Sequence, residues 1–132
     1  METRRILIDP SVLIEYFRKK DKTKSTLWKL LDGNDELCIS VITEFEFLCG
    51  CKTLDKRNEA TTLLNSFSKL SFNSSHSYCA GEIYTELRST NQMIGVLDIL
   101  IAGVARYETI PIMTSNIKHF RRVSGLKLLK SI

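Results

Sequence analysis

Arg5-Ile6-Leu7-Ile8-Asp9-Pro10-Ser11-Val12-Leu13-Ile14 decides the fold. The apolar run up to Ile8 is too short for a helix, and a short apolar run closed by a turn signal predicts a buried strand. It ends at Asp9-Pro10, and Pro10 suits the first turn of a helix carrying Val12, Leu13, Ile14 and Phe17. A buried strand leading directly into a helix is the opening unit of a parallel sheet covered on both faces.

The alternation continues outward from that stretch. A short helix around Leu27, Trp28, Leu30 and Leu31 stops at Asp32-Gly33, and Leu37-Cys38-Ile39-Ser40 reads as the second strand. Thr43 then begins a helix holding Phe45, Phe47 and Leu48, closed by Gly50, and a further helix is predicted from about Asp55 to Lys69, with Ala60, Leu63, Leu64 and Phe67 on one face. Leu70-Ser71-Phe72 is expected as the third strand, and Ser74 or Ser75 as the cap of a helix through Ala80, Ile83, Tyr84 and Leu87. Val96 to Tyr107 is apolar and rich in small residues (Ala102, Gly103, Ala105), which predicts a closely packed interior helix. Ile110 to Met113 and Leu126 to Leu129 read as the fourth and fifth strands, with a short helix between them. The expected architecture is α/β, a three-layer α/β/α sandwich on a mostly parallel sheet of four to five strands.

The chain has 132 residues, 43% hydrophobic and 26% charged, enough for one domain with a real core. No apolar run approaches the roughly 18 residues of a spanning helix, and METRRILIDP has no apolar stretch before a cleavage site. Cys38, Cys49, Cys51 and Cys79 are expected as thiols of a cytoplasmic protein, and Cys49-x-Cys51 lacks the partners of a zinc site. The net charge of +4 is unevenly spread: Thr109 to Ile132 contains no acid but has Lys118, Arg121, Arg122, Lys127 and Lys130, while Arg18, Lys19, Lys20, Lys22 and Lys24 are broken only by Asp21. Each cluster reads as solvated surface by itself; beside an acidic site, positive potential would draw in a phosphodiester.

In an open parallel sheet, ligands bind beyond the carboxyl ends of the strands, so acids at strand-to-helix junctions matter most. Asp9 ends the first strand, Glu46 lies early in the helix after the second, and Asp98 sits in the otherwise uncharged stretch Met93 to Val104. Each also has a structural explanation: Asp9 as a helix cap, Glu46 as the partner of Thr43 in a capping box, Asp98 as a favourable charge at a helix start. Brought together, three carboxylates repel, and a divalent cation removes the penalty. Oxygen ligands without paired His or Cys favour Mg²⁺ or Mn²⁺, and such a centre points to phosphodiester hydrolysis. His76, at a polar helix start, is expected to be exposed, and the Tyr and Phe residues fall at core spacings, leaving no stacking platform for bases.

Ile6-Leu7-Ile8-Asp9-Pro10-Ser11-Val12-Leu13-Ile14, Ile39-Ser40-Val41-Ile42-Thr43-Glu44-Phe45-Glu46-Phe47-Leu48-Cys49-Gly50, Asp98-Ile99-Leu100-Ile101-Ala102 and Met113-Thr114-Ser115-Asn116-Ile117-Lys118-His119-Phe120 together resemble the PIN-domain family, specifically its VapC-type ribonuclease toxins. The resemblance implies one PIN domain over residues 1–132 and a Mg²⁺-dependent endoribonuclease (Mn²⁺ also suits the ligands). It further implies a homodimer, held inactive by a cognate antitoxin. It places the acids on Asp9, on Glu46 rather than Glu44, and on Asp98; the arrangement expected from them is one principal metal bound by Asp9 and Asp98, with Glu46 acting through water or as the general base. Ser11, Thr114 and Asn116 match supporting polar positions, and Lys118, Arg121 and Arg122 are candidate RNA contacts. Two departures stand out: Pro10 replaces a small hydroxyl residue and removes a backbone donor, and the family's fourth acid falls on His119.

A rival from another class follows from His119: a PIN-like domain with weakened catalysis that binds RNA or protein. A phospho-accepting receiver domain fits poorly, because Pro10 follows Asp9 and Asn73 follows Phe72, where that chemistry needs further acids. No Gly-rich loop supports nucleotide binding.

Overall fold

The computed structural model describes residues 3–130. β1 (Arg5–Ile8) passes into α1 (Pro10–Arg18) at Asp9, whose extended backbone and side chain cap the helix while Pro10 occupies its first turn. A 3₁₀ turn at Lys22–Lys24 leads into α2 (Thr26–Leu31), then β2 (Glu36–Ser40), α3 (Val41–Cys49), α4 (Leu54–Leu64), β3 (Ser68–Leu70), α5 (Ser74–Ser89), α6 (Val96–Glu108), β4 (Ile112–Thr114), α7 (Ile117–Phe120) and β5 (Leu128–Lys130).

The five strands form one sheet in the order β3-β2-β1-β4-β5, and every neighbouring pair is parallel. Successive strand residues face opposite sides, which splits the core into two layers. Leu7, Cys38 and Ile112 join Ala80, Ile83 and Leu87 of α5 and Ile99, Ile101 and Ala102 of α6 on one face. Ile6, Ile8, Ile39 and Met113 join Val12, Leu13, Leu27, Phe47, Ala60 and Leu64 from α1 to α4 on the other. The expected three-layer sandwich is therefore present. From β1 the chain builds first toward β2 and β3 and later toward β4 and β5, so the strand order reverses between β1 and β4. A crevice opens at the carboxyl ends of the strands at such a reversal.

The small-residue stretch does pack closely: a Cβ added to Gly103 would lie 2.9 Å from Ala80 Cβ on α5. Half-buried Lys22 caps α1, its Nζ donating to the carbonyls of Tyr16 (2.7 Å), Phe17 (2.9 Å) and Lys19 (3.0 Å), where a cation meets the negative end of the helix dipole.

Several expectations need correction. α4 stops at Leu64 rather than Lys69, because the chain turns there and Phe67 reaches the core from the turn. β3 covers Ser68–Leu70, not Leu70–Phe72; at the sheet edge, polar Ser68 and Lys69 can stay exposed while pairing with β2. β4 and β5 each begin two residues later than expected and end one residue later. α3 begins at Val41, with Ser40 Oγ accepting from Ile42 N–H, so Thr43 lies inside the helix; Asn73, rather than Ser74 or Ser75, caps α5. His76 is buried: its Nδ1 accepts from Asn73 N–H at 3.0 Å, completing a capping box, and its ring lies against Phe72 and Tyr107. The aromatic residues are not all core, since Phe45 and Tyr78 are 59% and 77% exposed.

Candidate active site

Strand pairing assembles the first half of the site. Asp9 N–H donates to Met113 O, so Asp9, just past β1, and Thr114, the last residue of β4, stand side by side in the β1/β4 crevice. There Asp9 Oδ2 accepts three hydrogen bonds: from Ser11 N–H (3.1 Å), Ser11 Oγ (2.6 Å) and Thr114 Oγ1 (3.0 Å). Both hydroxyls are aimed by backbone donors, Ser115 N–H giving to Ser11 Oγ and Asn116 N–H to Thr114 Oγ1. The other carboxylate oxygen, Oδ1, is buried and has no hydrogen-bond partner. Pro10 costs this arrangement nothing, because Ser11 supplies the donor that caps through Asp9, and a first-turn N–H has no intrahelical acceptor.

Glu46 lies on the second turn of α3 and Asp98 in the first turn of α6. Burial pushes the carboxyls of Asp9, Glu46 and Asp98 above their ordinary values. Asp98 adds to the rise at Asp9, and Asp98 and Asp9 add to it at Glu46, so the three acids share one field. Glu44 takes no part: about 200° around the helix from Glu46, it pairs with Lys69 of β3. The structural alternatives now separate. Thr43 makes no capping box with Glu46, its hydroxyl being buried without a partner; Gly95 caps α6 without help from a side chain; Asp9 does cap α1, but with one oxygen only.

The remaining expected residues are distributed unequally. His119 Nδ1 is 3.5 Å from Asp98 Oδ2 and lowers the Asp98 carboxyl against the effect of burial. Asn116 contributes its backbone, not its amide, to the Asp9 network. Lys118 and Arg121 are exposed on α7 and just after it; Arg122 is exposed too, yet its guanidinium is partly committed to Met93 O at 3.0 Å. Arg18 was legible only as part of a basic cluster. It shares a small pocket with Glu46, Ile14, Phe17 and Phe47, because its spacing from Ile14 puts it on the α1 face toward α3. Glu86, four residues from Glu82, forms a two-pronged pair with Arg106 (2.9 and 3.0 Å) that ties α5 to α6.

Three carboxylates in one field, no Lys or Arg among the influences on them, and an orphaned buried oxygen on Asp9 make a donor set that fits a hard divalent cation. Among the described residues, no three His, Cys, Asp or Glu side chains are drawn together tightly enough to cage an ion. An ion of the magnesium class needs no cage, since it keeps several waters and uses one or two carboxylates. No helix among the described residues is long and apolar enough to cross a membrane.

The model of the PIN domain matches residues 6–126. Ribonuclease VapC3 of Methanocaldococcus jannaschii is 38% identical over 74% of this chain and 95% of its own length. The tRNA(fMet)-specific endonuclease VapC of Shigella flexneri is 28% identical over 93% of this chain and 95% of its own. The crystal structure of VapBC2 from Rickettsia felis, bound to a DNA fragment from their promoter, superposes with a TM-score of 0.81 at 25% identity, covering 96% of this chain and 98% of that one. Sheet order, the acids at the strand ends and these likenesses agree: the chain belongs to the PIN domain family, on its VapC-type branch.

Proposed function

We propose that this chain is a metal-dependent endoribonuclease, the toxin of a toxin–antitoxin pair, with Asp9, Glu46 and Asp98 as its catalytic acids. The observation that carries the reading is the divided carboxylate of Asp9: Oδ2 is saturated by three donors while buried Oδ1 has none. A buried unpaired carboxylate oxygen is costly, and a cation is the partner that removes the cost. The relatives named ribonuclease and tRNA-specific endonuclease supply the substrate class, RNA.

Asp9 and Asp98 would hold a Mg²⁺- or Mn²⁺-class ion, which when bound would supply positive charge beside the phosphate. Ser11 and Thr114 orient Asp9 so that Oδ1 is the oxygen presented. Glu46 accepts the proton of the attacking water on its carboxylate, a role favoured by burial and by the neighbouring acids, which raise its affinity for a proton. Lys118 and Arg121, with the uncommitted edge of Arg122, draw the RNA backbone to the site. Water rather than a ribose hydroxyl attacks, so the products carry 5′-phosphate and 3′-hydroxyl ends. The partner is a cognate antitoxin, as in the VapBC pair that this fold matches. A second copy of the chain suits the exposed apolar side chains Val41, Phe45 and Val96 on α3 and α6. The four free thiols suit the cytoplasm.

The test is cleavage of mixed cellular RNA under titrated Mg²⁺ and Mn²⁺, with end mapping, comparing wild type with Asp98→Asn. Metal-stimulated cuts with 5′-phosphate ends that vanish in Asp98→Asn are expected. A wild type that cuts no RNA under either metal overturns the enzyme reading and favours a binding module.

A further inference from the structure

Arg18 carries no structural duty that the fold needs. It is exposed in the last turn of α1, where a cation can cap the helix, yet Lys22 Nζ already takes the carbonyls of Tyr16, Phe17 and Lys19. Among the described residues, no carboxylate pairs with the Arg18 guanidinium. It nevertheless lines a recess of about 100 Å³ between α1 and α3, whose wall includes Glu46 together with Ile14, Phe17 and Phe47. Arg18 is not among the charges that move the Glu46 carboxyl, so it does not neutralise that acid. A planar guanidinium with five donors and no anion, beside a site for phosphodiesters, is suited to a backbone phosphate.

Its place along the helix says which phosphate. α1 has nine residues and rises roughly 13 Å from its Asp9 cap, so Arg18 is too far along to meet a phosphate held at Asp9 and flanks the site on the Glu46 side. On the opposite side, His119 beside Asp98 marks where α7 reaches the acids, and Lys118 and Arg121 stand exposed there. The acids therefore lie between two sources of positive charge. Carboxylates repel phosphates, and a polyanion laid across them is held by cations at both ends. Resting on the RNA-cleaving reading above, we infer that Arg18 binds a backbone phosphate flanking the scissile one, so that the RNA strand crosses the acids from α7 to the end of α1.

The experiment measures binding of a fluorescein-labelled single-stranded RNA of about 12 nucleotides by anisotropy, in EDTA so that no cut intervenes, across a range of salt. Wild type, Arg18→Gln and Arg18→Lys are compared with Arg88→Gln, which removes the same charge from α5 across the sheet. One phosphate contact on a single strand contributes about 0.7 to the slope of log affinity against log salt, equivalent to about fivefold in affinity near 0.1 M salt. Arg18→Gln should lose that slope and that affinity, Arg18→Lys should keep the slope, and Arg88→Gln should match wild type. With Mn²⁺ in place of EDTA, Arg18→Gln should raise KM about fivefold and leave kcat within about twofold. A slope and affinity in Arg18→Gln equal to those of wild type overturn the inference and favour an acidic protein segment as the occupant; a loss matched by Arg88→Gln overturns it as well. A wild type that binds the RNA through Arg18 but does not cut it overturns the nuclease reading while leaving Arg18 standing, and a wild type that binds no RNA overturns both.

Discussion

Thr114, 105 residues along the chain from Asp9, donates its hydroxyl to Asp9 Oδ2 at 3.0 Å and takes its own orientation from Asn116 N–H. The bond holds one carboxylate oxygen and leaves the other free. Thr114→Val keeps the volume and removes the donor, which lifts the Asp9 carboxyl further and leaves Asn116 N–H without its acceptor. Cleavage is expected to fall about tenfold, with the acidic limb of the pH–rate profile moved upward, and stability to drop by about 1–2 kcal/mol. A profile whose acidic limb stays in place would count against the network's role in tuning Asp9.

Glu44 and Glu46 are two residues apart but face different neighbours, Lys69 for the first and the other two acids for the second. Glu46→Gln should lower the cleavage rate by about 10²-fold or more, as loss of a general base does. Glu44→Gln breaks an ion pair near the surface and should cost less than about 1 kcal/mol of stability with cleavage nearly unchanged. Comparable losses in both variants would remove the case for Glu46.

Acidity and the proposed metal act on the same three carboxyls. Their folded pKa values are raised, so the folded chain binds more protons than the unfolded one in the window just above the ordinary carboxylate range of about 4. There the ion-free protein should lose stability as pH rises through the raised values, the stability from this source being complete only below the ordinary ones. A divalent ion reverses the trend by favouring the deprotonated state. At about 100 times its Kd it should add about 2.7 kcal/mol. Thermal unfolding across pH, with and without Mn²⁺, shows both signs; an ion-induced rise in Tm that survives in Asp9→Asn would contradict the assignment.

Gly103 and Gly81 make opposite claims about helix packing. A Cβ on Gly103 would meet Ala80 Cβ at 2.9 Å and its backbone at 3.1 Å, so Gly103→Ala should destabilise by about 1–3 kcal/mol. Gly81 lies on α5 with nothing within 4 Å of an added Cβ, and Gly81→Ala should stabilise by about 0.5–1 kcal/mol. Denaturant unfolding of the two variants would expose an error in either sign.

Much of this was legible because local chemistry and global fold agree. Arg5 to Ile8 ends at an Asp-Pro that both stops a strand and starts a helix, and the run of Ala and Gly in α6 signals close approach. Edges were harder to read. β3 is an edge strand whose exposed Ser68 and Lys69 give no apolar signal, and Phe67 carries helical spacing while serving a turn. His76 reads as solvent-facing because its immediate neighbours are polar, although the ring of Phe72, four residues earlier, and that of Tyr107 from α6 cover it. Asp9 could be named from its strand-end position, Glu46 from the helix after the second strand, and Asp98 as the one charge in an apolar stretch. That one oxygen of Asp9 would be saturated and the other bare depends on Thr114 arriving on a neighbouring strand, which no local pattern reveals.

In the proposed site, Asp9, Glu46 and Asp98 gather around a divalent ion met by Asp9 Oδ1. The direct measurement is anomalous diffraction from crystals soaked in Mn²⁺. A peak within coordination distance, about 2.0–2.3 Å, of Asp9 Oδ1, also bound by Asp98 and lying near Glu46, is the expected result. An Mn²⁺-soaked crystal with Asp9 Oδ1 still bare, the acids apart and no peak between them would contradict it.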